Sequence, residues 1–291
     1  MNTVPESSLY QAPDNALDAL VANVTQLVSL PDVFIRFEQE LNSPNASSET
    51  LADILIIDPD VTSRLLSLAN SAFFGFSSRV ETVQRALVLI GTSQVRDLIL
   101  ATAVVDRFSK LPIGILDMRS FWQHSIGTAA LARSIATELR IRGADKLFVG
   151  GLLHDIGRLV LVLERPEDMA DVLLRGQQED RCISSIERET FGFDHADVGG
   201  ALARSWSLPE TVTDMIAQHH DPNQSKNLDV DLVHIADILA HTLEWGRSGQ
   251  RLVPELCQDS WTRTRLSTDG IDEIVDYGHE MYAEMQSLIL G

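Results

Sequence analysis

Apolar side chains in this chain recur every three or four positions, segment after segment, and that spacing marks helices buried along one face. Alternating apolar and polar runs joined by hairpin turns, which a sheet would need, do not recur. An all-α fold follows. Its first helix carries Leu17, Leu20, Val21, Val24 and Leu27 and is broken by Leu30-Pro31. A second runs from Asp32, with Phe34, Phe37 and Leu41 as its stripe, to the turn at Asn42-Ser43-Pro44. Ser48 precedes Leu51, Ile54 and Leu55, and Asp58-Pro59-Asp60 opens a helix bearing Val61, Leu65, Leu66 and Leu68. Val83 to Ile90 and Val95 to Val105 follow, separated by Gly91-Thr92-Ser93, before Pro112 and Gly114 mark a boundary. About five short helices therefore make up the first part. The aromatic group Phe73-Phe74-Gly75-Phe76 is read as core rather than as an interface.

Helical spacing resumes in Ile126, Ala130, Leu131, Ile135 and Leu139, in Leu147 to Leu163, in Val198 to Trp206 and in Val212 to His219. Leu232 to Trp245 and Ile271 to Leu290 supply the last helices. The expected organisation is a mobile tail over 1–18, a helical N-terminal subdomain over 19–115, a second helical subdomain over 116–245 and a C-terminal helical extension over 246–291. The tail lacks apolar periodicity and reads as the remnant of a linker to a partner domain.

Charge narrows the function classes. Against 23 basic residues stand 42 acidic ones, a net charge of −19, so most of the surface repels a phosphate backbone and anionic lipid alike. No direct nucleic-acid binding and no membrane association are expected. No apolar run of about 18 residues occurs and no signal peptide is visible, so the expected compartment is the cytoplasm. Cys182 and Cys257 have no CxxC spacing and read as reduced thiols.

Chemistry concentrates in histidines and aspartates placed among aliphatic neighbours. In Gly150-Gly151-Leu152-Leu153-His154-Asp155-Ile156-Gly157-Arg158 the acid sits in an apolar helix, and Asp237 recurs the same way in Val233-His234-Ile235-Ala236-Asp237-Ile238-Leu239. An unpaired carboxylate in such a setting costs several kcal/mol or more, so a cation should compensate it. Neighbours on a helix point about 100° apart, so His154 and Asp155 reach one cavity only from a helix buried over a wide face. Gly150 and Gly151 would let another helix come close. His124, expected to open the helix His124 to Leu139, His195 and the pair His219-His220 complete the constellation; of that pair, one is expected to ligate and the other to lie behind it or face an anion. Imidazoles and carboxylates in this proportion suit Fe, Mn, Zn or Ni better than Mg. Two such ions about 3.5–4 Å apart, bridged by an Asp, would polarise a phosphoryl oxygen and acidify a water. His234, His241 and His279 are read as hydrogen-bonded core histidines and left out of the set.

These residues resemble the HD superfamily of metal-dependent phosphohydrolases, named for the doublet seen here as His154-Asp155. More closely, the chain resembles the HDOD family, the HD-related output domains of bacterial signalling proteins. That resemblance rests on Leu30-Pro31, Asp58-Pro59 with Leu65-Leu66, Asn70-Ser71-Ala72, Ala86 with Gly91, Phe121-Trp122-Gln123-His124, the stretch Gly151 to Gly157, His195-Ala196-Asp197-Val198-Gly199, Trp206 with Leu208-Pro209, and His219-His220. It covers roughly residues 20–245. It implies a helical N-terminal subdomain packed on an HD-like metal-binding subdomain, and a role as an output or response-regulator module acting through signalling partners such as sensor or receiver domains. His124, His154, Asp155, His195, His219, His220 and Asp237 match ligand positions of the HD scaffold. Arg158 stands where a Lys is typical, and could clamp a phosphate bidentately. The cyclic-dinucleotide phosphodiesterases of the HD-GYP type differ: Asp221-Pro222-Asn223 follows His220 with no GYP signature, and Arg119-Ser120-Phe121 stands where a ligand Glu would be expected.

Two expectations result. In the first, the chain is a regulatory interaction module whose metal or nucleotide ligand is structural or sensed. In the second, it is a metal-dependent phosphohydrolase of a nucleotide or cyclic dinucleotide, with Asp155, Arg158 and His220 as its catalytic groups.

Overall fold

A computed structural model describes residues 16–27, 31–71, 73–110, 114–141 and 143–290. Of the expected tail, residues 1–15 lie outside the described residues, and 16–18 belong to the first helix rather than to a tail. Ala72, Leu30 and Pro112 also lie outside them.

The described residues are helical throughout their regular structure, with no strand. The first part holds α1 (Ala16–Leu27), α2 (Asp32–Leu41), α3 (Ser48–Ile56), α4 (Pro59–Ala69), α5 (Val83–Ile90) and α6 (Thr92–Ser109), one at each segment that the apolar spacing marked. Local chemistry sets their starts. Ser47 and Thr50 form a reciprocal capping box at α3, Asp58 accepts from the backbone of Asp60 and Val61 with Pro59 in the first turn of α4, and the Thr82 side chain caps α5. Phe73 is 1% exposed and Phe74 and Phe76 pack partly against the core, as the sequence suggested.

The second part is built around α7 (Met118–Glu138), which packs against α8 (Lys146–Leu153), α14 (Leu228–Thr242) and α16 (Ile271–Leu290). Between these come α9 (Ile156–Glu164), α10 (Pro166–Gln178), α11 (Ile183–Phe191), α12 (His195–Ser205) and α13 (Glu210–Gln218), and α15 (Gln258–Thr264) precedes a 3-10 turn at Thr268–Gly270. Helix α1 lies on α9 and α12, while α16 touches α4, so both ends of the chain tie the two parts together.

Two sequence expectations need correction. The stretch Leu147 to Leu163 is not one helix: it breaks at His154-Asp155, where Asp155 adopts φ −94° and ψ 4°. His124 does not open its helix, because the Asp117 side chain caps α7 earlier and leaves His124 well inside it. Helices α10 and α11 were missed, since their short stripes, Met169 and Val172, then Ile183 and Ile186, are set among many charges.

Close approach is bought with glycine. A Cβ on Gly151 would lie 2.6 Å from Ala129 Cα on α7, and one on Gly150 2.6 Å from the Met215 sulfur on α13, the helix contacts that the pair suggested. At Gly157 the constraint is tighter: a Cβ would sit 2.0 Å from the His195 carbonyl oxygen and 2.5 Å from the Gly199 nitrogen. Helix α9 thereby crosses the start of α12 at backbone contact, which brings Asp155 and His195 together.

Candidate metal centre

The break between α8 and α9 solves the problem of divergent neighbours. His154 ends one helix and Asp155 begins the next, so both side chains enter the same space without one helix presenting two faces. Around them converge His124 from α7, His195 from the first turn of α12, His219 and His220 from the turn after α13, and Asp237 from α14. Asp155 and Asp237 are each 2% exposed, and His124, His154, His195 and His219 are fully buried.

Asp155 lies at the middle. Its Oδ1 is 2.9 Å from His195 Nε2 and 3.8 Å from His219 Nε2, while its Oδ2 faces His154 Nε2 at 3.4 Å and His124 Nε2 at 3.8 Å. Asp237 Oδ1 lies 3.0 Å from His124 Nε2, 3.6 Å from His154 Nε2 and 3.4 Å from His241 Nε2. Three ligand groups result: Asp155 with His195, His219 and His220; Asp155 with His124 and His154; and His124 with Asp237 and His241. Asp155 belongs to two of them, the arrangement a carboxylate shared between two ions requires.

Tautomers are fixed from behind. His154 Nδ1 sits 2.7 Å from the Gly151 carbonyl and His219 Nδ1 2.8 Å from the Ile216 carbonyl. A carbonyl only accepts, so in each neutral ring the proton belongs on Nδ1 and the Nε2 lone pair is aimed inward. Among the described residues, the buried Nε2 atoms of His124, His154 and His219, and Oδ1 of Asp237, make no well-aligned hydrogen bond, even where His124 and Asp237 approach to 3.0 Å. Unsatisfied polar atoms of that kind are costly in a protein interior, and once His154 gives up its proton a divalent cation would satisfy all four. The donor set fits a metal.

Electrostatics divide the rings into two sets. Burial and the neighbouring cationic His154 and His195 pull His219 down to about 3, burial pulls His241 down to about 4, and burial with His219 and His195 beside it holds His220 far below its ordinary value. Those three rings are neutral near pH 7, the state that ligates. Burial also disfavours charge on His154, but Asp155 and Asp237 overcome it and push it up to about 10; for His195, burial and Arg158 are outweighed by Glu187 and Asp155, giving about 9. Both aspartates stay ionised despite burial, Asp155 through Arg158 and His154, Asp237 chiefly through His241, His124 and His154.

All seven sequence-selected ligand candidates and Arg158 are thus brought together. His219 and His220 do not diverge as helix neighbours would, because α13 ends at Gln218 and both lie in the turn after it: His219 faces Asp155, and His220 Nε2 reaches 2.8 Å from His195 Nε2 while bordering a cavity of about 170 Å³. Two participants escaped the sequence. His241, read as core, lies four residues after Asp237 on one helix face, a spacing that could have revealed it. Glu187 is fully buried and accepts from His195 Nδ1 at 2.5 Å and from the His195 backbone at 2.9 Å, behind a helix the periodicity did not reveal. His234 is core as read: its Nδ1 donates to the His219 carbonyl and its Nε2 accepts from the Cys257 backbone, at 2.7 and 3.0 Å. His279, read as core, is instead exposed on α16, with its ring against Trp245 and Tyr282.

An all-helical chain that gathers histidines and aspartates from separate helices around one buried Asp is a protein of the HD class. The HDOD domain model matches residues 27–222, and the chain belongs to that family. A Geobacter sulfurreducens HDOD domain protein of unknown function shares the fold with a TM-score of 0.70 at 28% identity, over 94% of this chain and 98% of that one. A candidate phosphohydrolase of Shewanella amazonensis aligns with a TM-score of 0.70 at 24% identity over 93% and 98%, which shows the fold alone. An uncharacterised Treponema pallidum protein is 27% identical over 75% of this chain and 42% of its own length, and a Thermus thermophilus ribonuclease Y is 35% identical over 44% and 18%. The chain spans less than half the length of these curated relatives. No single helix is long and apolar enough to cross a membrane among the described residues.

Proposed function

We propose that this chain is a bacterial signal-transduction output module that holds one or two divalent transition-metal ions and acts through a protein partner. The observation that carries the metal reading is the convergence of four unpartnered, buried ligand atoms, on His124, His154, His219 and Asp237, around a carboxylate that faces two ligand groups. Imidazole-rich donors favour Fe, Mn, Zn or Ni over Mg. Family membership supports the signalling role; sensor or receiver domains are the partners that role implies. Elemental analysis of purified protein tests the centre: stoichiometric transition metal is expected, lost from Asp155→Ala, and metal-free protein in both would refute it. Partner capture before and after chelation tests the link, and capture indifferent to chelation would refute metal sensing.

A second reading, phosphoester hydrolysis, is favoured by the cavity beside the centre, which Asp155, Arg158 and His220 border together. Bound ions would supply Lewis acidity and an acidified water there, Arg158 would pair with phosphoryl oxygens, and His220 would hold or pass a proton. At about 170 Å³ the space is below the roughly 300–1,000 Å³ of ordinary ligand pockets, so it admits a phosphoryl group rather than a whole nucleotide unless a wall moves. The net charge of −19 favours a nucleotide or cyclic dinucleotide over RNA, whatever the ribonuclease relatives act on. Metal-loaded protein inert across a nucleotide panel, or undiminished turnover in Asp155→Ala, would remove this reading.

A further inference from the structure

We propose that the Arg158 guanidinium is a resident cation that competes with a divalent ion for Asp155 and His195, and that the segment 245–257 registers which of them is bound. The inference rests on the metal centre proposed above.

Arg158 is 2% exposed and lies against Asp155 and His195, two members of the ligand group that His219 and His220 complete. Its Nη1 donates to Asp155 Oδ2 at 3.1 Å, and its Nη2 lies 2.9 Å from His195 Nε2 and 3.2 Å from His195 Nδ1. A guanidinium has only hydrogens to offer, so it takes an Asp155 lone pair and lies in front of His195 Nε2, the two positions that a metal ion would need. One lone pair cannot serve both. Arg158 cannot yield by losing its proton either, since guanidinium stays charged in proteins; it yields only by moving. By contrast, His124, Asp237 and His241 make no hydrogen bond to Arg158 among the described residues, so that group can be filled without disturbing it.

Movement of Arg158 has one immediate consequence. The same Nη1 donates to the Ser248 carbonyl at 3.1 Å and to Ser248 Oγ at 2.5 Å, and Ser248 is fully buried. Ser248 belongs to a non-helical segment, 245–257, lying beyond the residues matched by the family model. The segment is pinned at Arg247, whose backbone N–H donates to the Ser120 carbonyl and hydroxyl at 3.0 and 2.9 Å. Beyond that, Gln250 Oε1 accepts from the Ile183 backbone at 2.8 Å, and Cys257 donates to His234. Gly246, at φ +79°, makes the first pin feasible, because a Cβ there would lie 2.3 Å from the Ser120 carbonyl oxygen. Gln250, Pro254 and Glu255 from this segment wall the cavity. Eviction of Arg158 therefore removes the segment's central anchor, and it frees a guanidinium for a phosphoryl group at the moment the wall loosens.

Titration of the full chain with Mn²⁺, read by ion stoichiometry and by hydrogen exchange, tests this. Two unequal ions per chain are expected, the second accompanied by exchange in 245–257 that is faster by about tenfold or more. Ser248→Ala, which loosens Arg158 without touching a ligand, should tighten the second ion by about tenfold, the worth of a charged hydrogen bond; Arg158→Met should tighten it further. Ser248→Ala is the decisive variant, because Arg158→Met strips a buried charge from between Asp155 and Glu187 and can unfold the chain. Two ions bound with protection of 245–257 unchanged, or a Ser248→Ala variant whose second ion binds no tighter, would overturn the competition and leave the metal centre standing. Absence of bound Mn²⁺ from wild type and Ser248→Ala alike would overturn both.

Discussion

Replacing Glu187 by Gln keeps the shape of a side chain that apolar periodicity does not reveal and removes its charge. Glu187 is fully buried, and its carboxyl stays ionised in spite of that burial because His195 and Arg158 stand beside it. It accepts from the backbone and from Nδ1 of His195, and Arg158 Nε approaches its other oxygen at 3.7 Å. Glutamine can offer its single oxygen to His195 only by turning its NH₂ towards the Arg158 donor. Losing a charge-assisted hydrogen bond costs about 1.5–3 kcal/mol, and the poorly compensated guanidinium adds to this, so a loss of roughly 3 kcal/mol is expected. A His195 ring no longer held from behind should also ligate less well, with metal affinity down about 10- to 100-fold. Urea unfolding of metal-free protein reads the first effect, and competition with a chelator reads the second. Glu189→Gln is the control: it lies two positions along α11, exposed and paired with Arg175 and Arg181, and should leave both measurements unchanged. Wild-type unfolding and wild-type affinity in Glu187→Gln would refute the account of how His195 is held.

The metal-free protein should lose stability on either side of neutrality. His219 and His241, held to about 3 and about 4, refuse protons that the unfolded chain takes up below about 6.5, so the pair costs roughly 4 kcal/mol by pH 5. His154 and His195, raised to about 10 and about 9, stabilise the folded state fully below about 6.5 and lose that contribution as the pH climbs through 9 to 10; a flat urea midpoint from pH 5 to 10 would contradict both. Gly157→Ala should cost about 3 kcal/mol or more, or prevent folding, because its methyl meets backbone rather than a flexible side chain; a thermal midpoint within a degree or two of wild type would show that α9 and α12 can separate. His241→Ala should weaken binding of one ion while leaving His279→Ala indistinguishable from wild type, as measured by elemental analysis after dialysis; equal retention in both would return His241 to the core.

The sequence by itself determined the helical class and most helix positions, since a helix's apolar spacing and its capping residues are local properties: Asp58 before Pro59 and the span Ile271 to Leu290 are legible in a few neighbouring letters. It also marked Asp155 and Asp237, because an acid among aliphatic residues is anomalous wherever it is found. Tertiary structure decided how those marks combine. The break at His154-Asp155, the backbone contact at Gly157, the arrival of Glu187 and Ser248 from 32 and 93 residues downstream of Asp155, and the turn that lets both His219 and His220 face inward depend on helices meeting in space. Periodicity tells which face of a helix is buried; it carries no information about which other helix does the burying, and a ligand set is made of that second fact.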